Sequence, residues 1–109
     1  MSTAELEARV REEGETAVIE LSGDIDRNAE AALDAAYSQV ERAKTVVLDF
    51  TAVDYINSTG IAVIVGLLAR ARRNGQSLNA RGLTEHYRQI FQITRLSDFM
   101  TILDEEGAQ

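Results

Sequence analysis

Residues 46–75 have the sequence VVLDFTAVDYINSTGIAVIVGLLARARRNG, and they carry the clearest structural signal in the chain. Val46–Phe50 is almost continuously apolar, which predicts a strand covered on both faces. Ser58–Arg73 has the apolar spacing of an amphipathic helix, and Asn74–Gly75 is a typical left-handed helix end. A buried strand followed by a helix predicts an α/β unit, with the polar segment 54–60 at the connection.

The flanking segments predict further strands and helices. Glu5–Arg11 and Thr16–Leu21 alternate between apolar and polar residues, which predicts an antiparallel pair with a turn at Glu12–Glu15 and an end at Ser22–Gly23. A helix is predicted from Asn28, with its buried face formed by Ala29, Leu33, Ala36, Tyr37 and Val40. A second is predicted after the capping residue Thr84, with one face formed by Tyr87, Ile90, Phe91 and Thr94. Short strands are predicted at Leu78–Ala80 and Phe99–Leu103. The order β-β-α-β-α-β-α-β predicts an α/β fold with one mixed sheet whose later strands are parallel.

Length and composition restrict the class of protein. The chain has 109 residues, 45% of them hydrophobic, so we expect a single domain over residues 1–109, with an ordered core at about 5–103 and an acidic tail at 104–109. No apolar run is long enough to span a membrane, and Met1–Glu15 is too charged for a secretory signal. The absence of cysteine fits a reducing compartment, and we expect a cytoplasmic protein.

Charge and residue types exclude several functions. Eighteen acidic against eleven basic residues give a net charge of −7, which argues against direct nucleic-acid binding. With no cysteine and a single histidine, His86, we expect no metal centre. Nucleotide-binding glycine loops and the G-x-S-x-G elbow are absent, and Ser58 has no evident base, so we expect neither a cofactor nor an enzyme.

The segment 54–60 is the best candidate for a functional site, because partner sites in α/β sheets favour strand ends where helices begin. Asn57 or Ser58 can cap the helix, and Gly60 would let another group approach the backbone closely. A phosphate on Ser58 would be favoured by the helix terminus by about 0.3–1 kcal/mol. Plain capping explains the same residues, and from spacing alone it is the more common explanation.

Two further features are candidates for partner binding. The helix Ser58–Arg73 is predicted to pack one face against the core, and that face is formed by Ile61, Ile64, Val65, Leu68 and Ala71. Val63 would then project outward, with Leu67 at the edge of the exposed face, beside a basic cluster of Arg70, Arg72 and Arg73. Asp24 and Asp26 lie on a predicted loop before the first helix, where Asp26 can equally serve as a helix cap.

These motifs resemble the signature of STAS domains, in particular of bacterial anti-sigma factor antagonists. In that signature an apolar strand ends in Asp, and an Asp-Ser-[Ser/Thr]-Gly sequence then opens a helix; Val46–Phe50 and Val53–Ile61 are similar to it. Leu21–Asp26 is similar to the Gly-[Glu/Asp]-Leu-Asp turn of the family. The match in order and spacing runs from about Leu6 to Leu103.

The resemblance implies a partner switch. The unphosphorylated antagonist would bind an anti-sigma factor that is also a serine kinase, and phosphorylation of Ser58 would end that binding. A metal-dependent serine phosphatase would restore the active form, and ATP would belong to the kinase. The resemblance and the helix analysis together imply that the partner-binding residues are Asp24, Asp26, Asn57, Thr59, Gly60, Val63 and Leu67.

Two departures from the family pattern leave an alternative open. Asn57 stands where the family usually has Asp, so phosphorylation is less strongly implied, and Thr59 is the fallback acceptor. The chain also ends soon after Leu103, where many relatives continue into a final helix. The alternative is a STAS scaffold, or a subunit regulating a transporter, that uses the same surface without phosphorylation.

Overall fold

The structure is a computed structural model that describes residues 5–103, so the predicted acidic tail lies outside the described residues. Strands and helices alternate in the predicted order, which is confirmed. The elements are β1 (Glu7–Glu13), β2 (Thr16–Ile25), α1 (Glu30–Ser38), β3 (Thr45–Ile56), α2 (Ser58–Arg73), β4 (Ser77–Arg81), α3 (Glu85–Ile93) and β5 (Thr101–Ile102), with single 3-10 turns at Arg27–Ala29 and Leu96–Asp98.

The strands form one mixed sheet in the order β1-β2-β3-β4-β5. β1 and β2 are an antiparallel hairpin, as predicted, but its turn is shorter than expected because β1 continues through Glu13. The turn lies at Gly14 and Glu15, with Gly14 at a φ of +66°. Every later neighbouring pair is parallel, as predicted. The carboxyl ends of β2 and β3 therefore lie side by side at one edge, where Ile25 pairs with Ile56.

The main core lies between the sheet and the three helices. Alternate strand residues enter it, for example Ile19 and Leu48, together with Tyr37 of α1, Ile64 of α2 and Phe91 of α3. The predicted buried residues of this segment are confirmed: Leu33, Ala36 and Tyr37 of α1 are buried, and so are Ala29 and Val40, which lie just before and just after the helix.

The opposite face of the sheet also carries buried apolar side chains. Val18 and Val47 are buried there side by side. Asp49 accepts hydrogen bonds from the backbone amide (2.9 Å) and hydroxyl (2.6 Å) of Thr51 and from Arg81 Nε (3.2 Å). Burial raises the pKa of Asp49, but these bonds outweigh it and leave the pKa below its ordinary value.

Strands β2 and β3 run well beyond their predicted carboxyl ends. β2 does not end at Ser22–Gly23 but continues to Ile25, because Gly23 takes a φ of +102° between two register shifts against β3. β3 extends past Phe50 to Ile56, so both strands reach the start of α2. The last strand is shorter than predicted, because Phe99 ends a 3-10 turn before β5 begins.

Candidate functional site

The turn from β3 into α2, residues 56–60, is called the Ser58 turn below. Asn57 is extended (φ −98°, ψ −178°), and its Oδ1 accepts a hydrogen bond from Gly60 N at 2.8 Å. Its carbonyl accepts the first helical bond, from Ile61 N at 2.9 Å. Asn57 is thus the N-cap of α2, and the Ser58 hydroxyl makes no hydrogen bond within the described residues. Ser58 and Thr59 both face solvent.

The backbone of this turn is held against the end of β2. The carbonyl of Ile25 accepts a hydrogen bond from Asn57 N at 3.2 Å. Gly60 is buried on the same carbonyl, and a Cβ at this position would lie 1.9 Å from Ile25 O. The close approach that a glycine permits is therefore used inside the protein. Gly60 contributes to the site by allowing this contact.

Helix α3 holds the other side of the turn. The hydroxyl of Tyr87 accepts a hydrogen bond from Ile56 N at 2.9 Å. The sequence predicts Tyr87 on the apolar face of α3 but does not predict this bond. The only local signal was a tyrosine within an otherwise apolar stripe, since buried tyrosine hydroxyls usually find a polar partner.

The two predicted acidic residues lie beside the Ser58 turn. Asp24 pairs in register with Tyr55 of β3, and the residue is only 9% exposed. Asp26 follows β2, and its Oδ1 accepts a hydrogen bond from Asn28 N at 2.9 Å, so it caps the 3-10 turn before α1. Capping, the ordinary explanation for Asp26, accounts for its position, while Asp24 borders the turn.

The outward face of α2 differs from the prediction. Val65 was expected in the core but is 45% exposed, and Leu67 was expected at the edge of the exposed face but is 3% exposed. Val63 is half-buried and packs against the core. The contact of Gly60 with β2 sets the inward direction of the helix, which turns Leu67 in and Val65 out. The exposed small or apolar residues of α2 are Ala62, Val65, Gly66 and Ala69.

The predicted basic cluster is divided between different contacts. Arg70 binds Asp34 of α1 at 2.7 Å, lies 3.6 Å from Glu41, and stacks over the Tyr37 ring at 4.6 Å. It therefore joins α1 to α2. Arg72 instead stacks at 4.9 Å over the ring of Phe99, which is half exposed.

Other kinds of site find little support in residues 5–103. No group of three or more His, Cys, Asp and Glu side chains is placed there to hold a metal ion. No helix in the same range is long and apolar enough to cross a membrane. His86 is exposed with its ring centroid 5.0 Å from that of Tyr87, and no hydrogen bond in this part of the chain joins it to Ser58.

The sequence is similar to a family profile and to several known proteins. A family profile described as "Mlab, STAS domain" matches residues 8–104. An anti-sigma-B factor antagonist of Listeria monocytogenes is 36% identical over 69 residues, which cover 63% of this chain and 60% of that protein. The anti-sigma-B factor antagonist of Bacillus subtilis is 32% identical over 88 residues, covering 72% of this chain and 81% of that protein.

Structural comparison gives the same fold. The structure of the Bacillus cell fate determinant SpoIIAA in its phosphorylated form superposes with a TM-score of 0.68, covering 91% of this chain and 93% of that one. The sequence identity is 21%, so this likeness concerns the arrangement of strands and helices alone.

Proposed function

The chain belongs to the STAS domain family, and we propose that it is an anti-sigma factor antagonist switched by phosphorylation of Ser58. The observation that carries this proposal is that Asn57, and not Ser58, caps helix α2. Asn57 caps the helix, so Ser58 is left exposed with its hydroxyl available for modification. The relatives named as anti-sigma-B factor antagonists support the same function.

A phosphate on Ser58 would leave the helix intact. It would stand at the positive end of α2, where helix dipole and amide groups favour an anion. It would also add about −1.5 to −2 charges to the exposed face of α2. Residues 58–73 contain no Asp or Glu, so the phosphate would be the first negative charge on that helix. A partner seated on this face would have to bury that charge, so binding would be weakened while the fold is retained.

The proposed partner is an anti-sigma factor that is also a serine kinase, and a metal-dependent serine phosphatase would remove the phosphate. ATP would be bound by the kinase. Asp24, Asp26, Asn57, Thr59 and Val63 border the Ser58 turn or the exposed face of α2 and would contact or frame the partner. Gly60 would act only through the backbone geometry it allows. Leu67 is buried, so Val65 takes its place in the proposed contact.

Intact-mass measurement with peptide mapping tests the modification, on protein purified from its own growing and stressed cells. We expect a single phosphoryl group on Ser58 that a phosphatase removes and that varies with condition. Modification of Thr59 would keep the mechanism and move the acceptor.

Binding of Ser58 variants to the kinase is a second test. Ser58→Glu should lose kinase binding and Ser58→Ala should keep it. Wild-type binding by both variants would refute the switch.

The docking face has its own test. Val65→Glu should weaken binding to the anti-sigma factor at least tenfold, because an exposed apolar contact is replaced by a charge of the same sign as the phosphate. Ile93→Glu is the matched control, since Ile93 is a highly exposed apolar residue of α3 outside this face. Equal affinities for the two variants, with unchanged unfolding curves, would exclude α2 as the docking face.

A STAS scaffold or transporter-regulating subunit is the second candidate function. Asn57 favours it, because the family usually has Asp at this position and the missing carboxylate removes a group that could assist the kinase. This candidate predicts an unmodified protein under every growth condition. The same mass measurement therefore separates the two functions.

A further inference from the structure

Strand β3 extends beyond its neighbour β4. The two strands pair only as far as Asp49 and Arg81. On its other side, β3 is accompanied by β2 up to the pair Ile25 and Ile56. In the described part of the chain, backbone groups of residues 50–56 that point away from β2 have no strand to bond with. A buried amide on that side needs another acceptor, because leaving it unpaired is costly.

Helix α3 supplies that acceptor at the last residue of the strand. The Tyr87 hydroxyl accepts the hydrogen bond from Ile56 N, and Ile56 is buried. Tyr87 is itself held, because its amide donates to the capping hydroxyl of Thr84 at 3.2 Å. One turn further on, the Phe91 ring meets the Phe50 ring edge to face at 5.8 Å. Thus α3 contacts the unpaired half of β3 at both of its ends.

We infer that Tyr87 is a positioning residue for the Ser58 turn, a role that rests on the proposed function and describes how its site is held. Two bonds on opposite sides clamp the strand end: Ile56 N to Tyr87, and Asn57 N to the carbonyl of Ile25. Ser58 follows directly, and its side chain makes no hydrogen bond to any residue between 5 and 103. Phosphoryl transfer requires the acceptor hydroxyl to be held in line with the phosphate, so the clamp sets how well Ser58 is presented.

Tyr87→Phe tests this inference, because it keeps the ring and removes only the hydroxyl that accepts the bond from Ile56 N. Tyr55→Phe is the matched control, since Tyr55 is an exposed neighbour in the chain whose hydroxyl makes no hydrogen bond within residues 5–103. Hydrogen exchange of the full chain, followed by NMR, should show the amides of Ile56 and Gly60 exchanging about tenfold faster in Tyr87→Phe.

The amide of Leu48, in the core of β3, should exchange at the wild-type rate, and Tyr55→Phe should match the wild type throughout. A general loss of stability would accelerate all three amides together and would contradict a positioning role. Faster exchange confined to Ile56, with Gly60 unchanged, would show that the bond does not reach the Ser58 turn, and it would overturn the inference.

A second arm measures the consequence in cells. Each variant replaces the wild-type protein in its own host, and the fraction phosphorylated on Ser58 is measured by mass at equal protein level. We expect this fraction to fall several-fold in Tyr87→Phe and to stay unchanged in Tyr55→Phe. Equal fractions would overturn the inference and leave the proposed function standing. A wild type without phosphate would refute the proposed function, while the exchange result would still decide whether Tyr87 holds the turn.

Discussion

The two ends of helix α2 are held in opposite ways. At its amino end, the Asn57 cap and the carbonyl of Ile25 satisfy the backbone, and the side chains of Ser58 and Thr59 stay outside. At its carboxyl end, side chains hold the structure together. The buried Tyr37 hydroxyl donates to Gln76 Oε1 and accepts a hydrogen bond from Asn74 Nδ2 at 2.7 Å.

The carboxyl end is also tied to the end of α1. Gln76 Nε2 donates to the carbonyls of Val40 and Ala43, each at 2.8 Å. Arg70 adds its contacts with Asp34 and the Tyr37 ring. Helix α2 can therefore be firmly anchored and still leave the proposed acceptor, Ser58, exposed. A modification should be tolerated at Ser58, whose side chain makes no hydrogen bond within residues 5–103, and it should be destructive at a residue such as Tyr37, whose hydroxyl joins two side chains.

The largest expected effect concerns the backbone contact at the amino end. Gly60→Ala should destabilise the protein by about 3 kcal/mol, because the new Cβ would overlap the carbonyl of Ile25. Gly66→Ala is the matched control in the same helix, where nothing lies within 4 Å, and it should stabilise by about 0.5–1 kcal/mol. Urea unfolding measures both. Similar free energies of unfolding for the two variants would contradict the close contact.

At the carboxyl end, Tyr37→Phe should cost about 2 kcal/mol, because it removes the hydroxyl that joins two polar side chains in a buried position. Tyr55→Phe removes an exposed hydroxyl and should leave the free energy of unfolding nearly unchanged. Chemical denaturation of both variants checks this. A negligible effect at Tyr37 would mean that the carboxyl end is held by apolar packing alone.

The cap itself should contribute less. Asn57→Ala should lower the free energy of unfolding by about 1 kcal/mol, since Gly60 N loses its acceptor. Asn57→Asp retains an acceptor and should be at least as stable as the wild type, because a carboxylate suits the helix amino end. Thermal unfolding of the two variants separates them. If alanine proves harmless here, Asn57 is not the cap that stabilises α2.

The smallest effect is expected at the proposed acceptor. Ser58→Ala should change the free energy of unfolding by less than about 0.5 kcal/mol, since the side chain is exposed and makes no hydrogen bond within the described residues. The measurement is again urea unfolding. A decrease in the free energy of unfolding of more than about 1 kcal/mol would show that the Ser58 hydroxyl stabilises the fold.

Much of the fold could be predicted because its signals are local. The bounds of α2, the Thr84 cap of α3 and the Gly14 turn follow from residues within a few positions of one another. Asn57 and Ser58 were both possible caps, since both residue types accept amide hydrogens, and three-dimensional geometry was needed to choose between them. The sequence therefore predicts the Ser58 turn as a candidate site but does not determine which of its residues caps the helix.

The errors share one physical cause, which is dependence on distant parts of the chain. Apolar periodicity predicts that α2 has a buried face, but it does not fix the rotation of the helix about its axis to within a fraction of a turn. Val65 was therefore wrongly predicted to be buried, and Leu67 was wrongly predicted to lie at the edge of the exposed face. The direction follows from Gly60 meeting Ile25, which belongs to another strand. Likewise, the extension of β2 past Ser22 depends on its pairing with β3.

Caps, turns and periodicity depend on interactions between residues that are close in the chain, and these set the order of elements and the place of the Ser58 turn. Contacts between distant residues set how that turn is held: Tyr87 reaches Ile56 across 31 positions, and β2 supplies the carbonyl on which Gly60 rests. Such contacts form only when separate elements pack together. They leave Ser58 outward on a fixed backbone, which is the property on which the proposed switch depends.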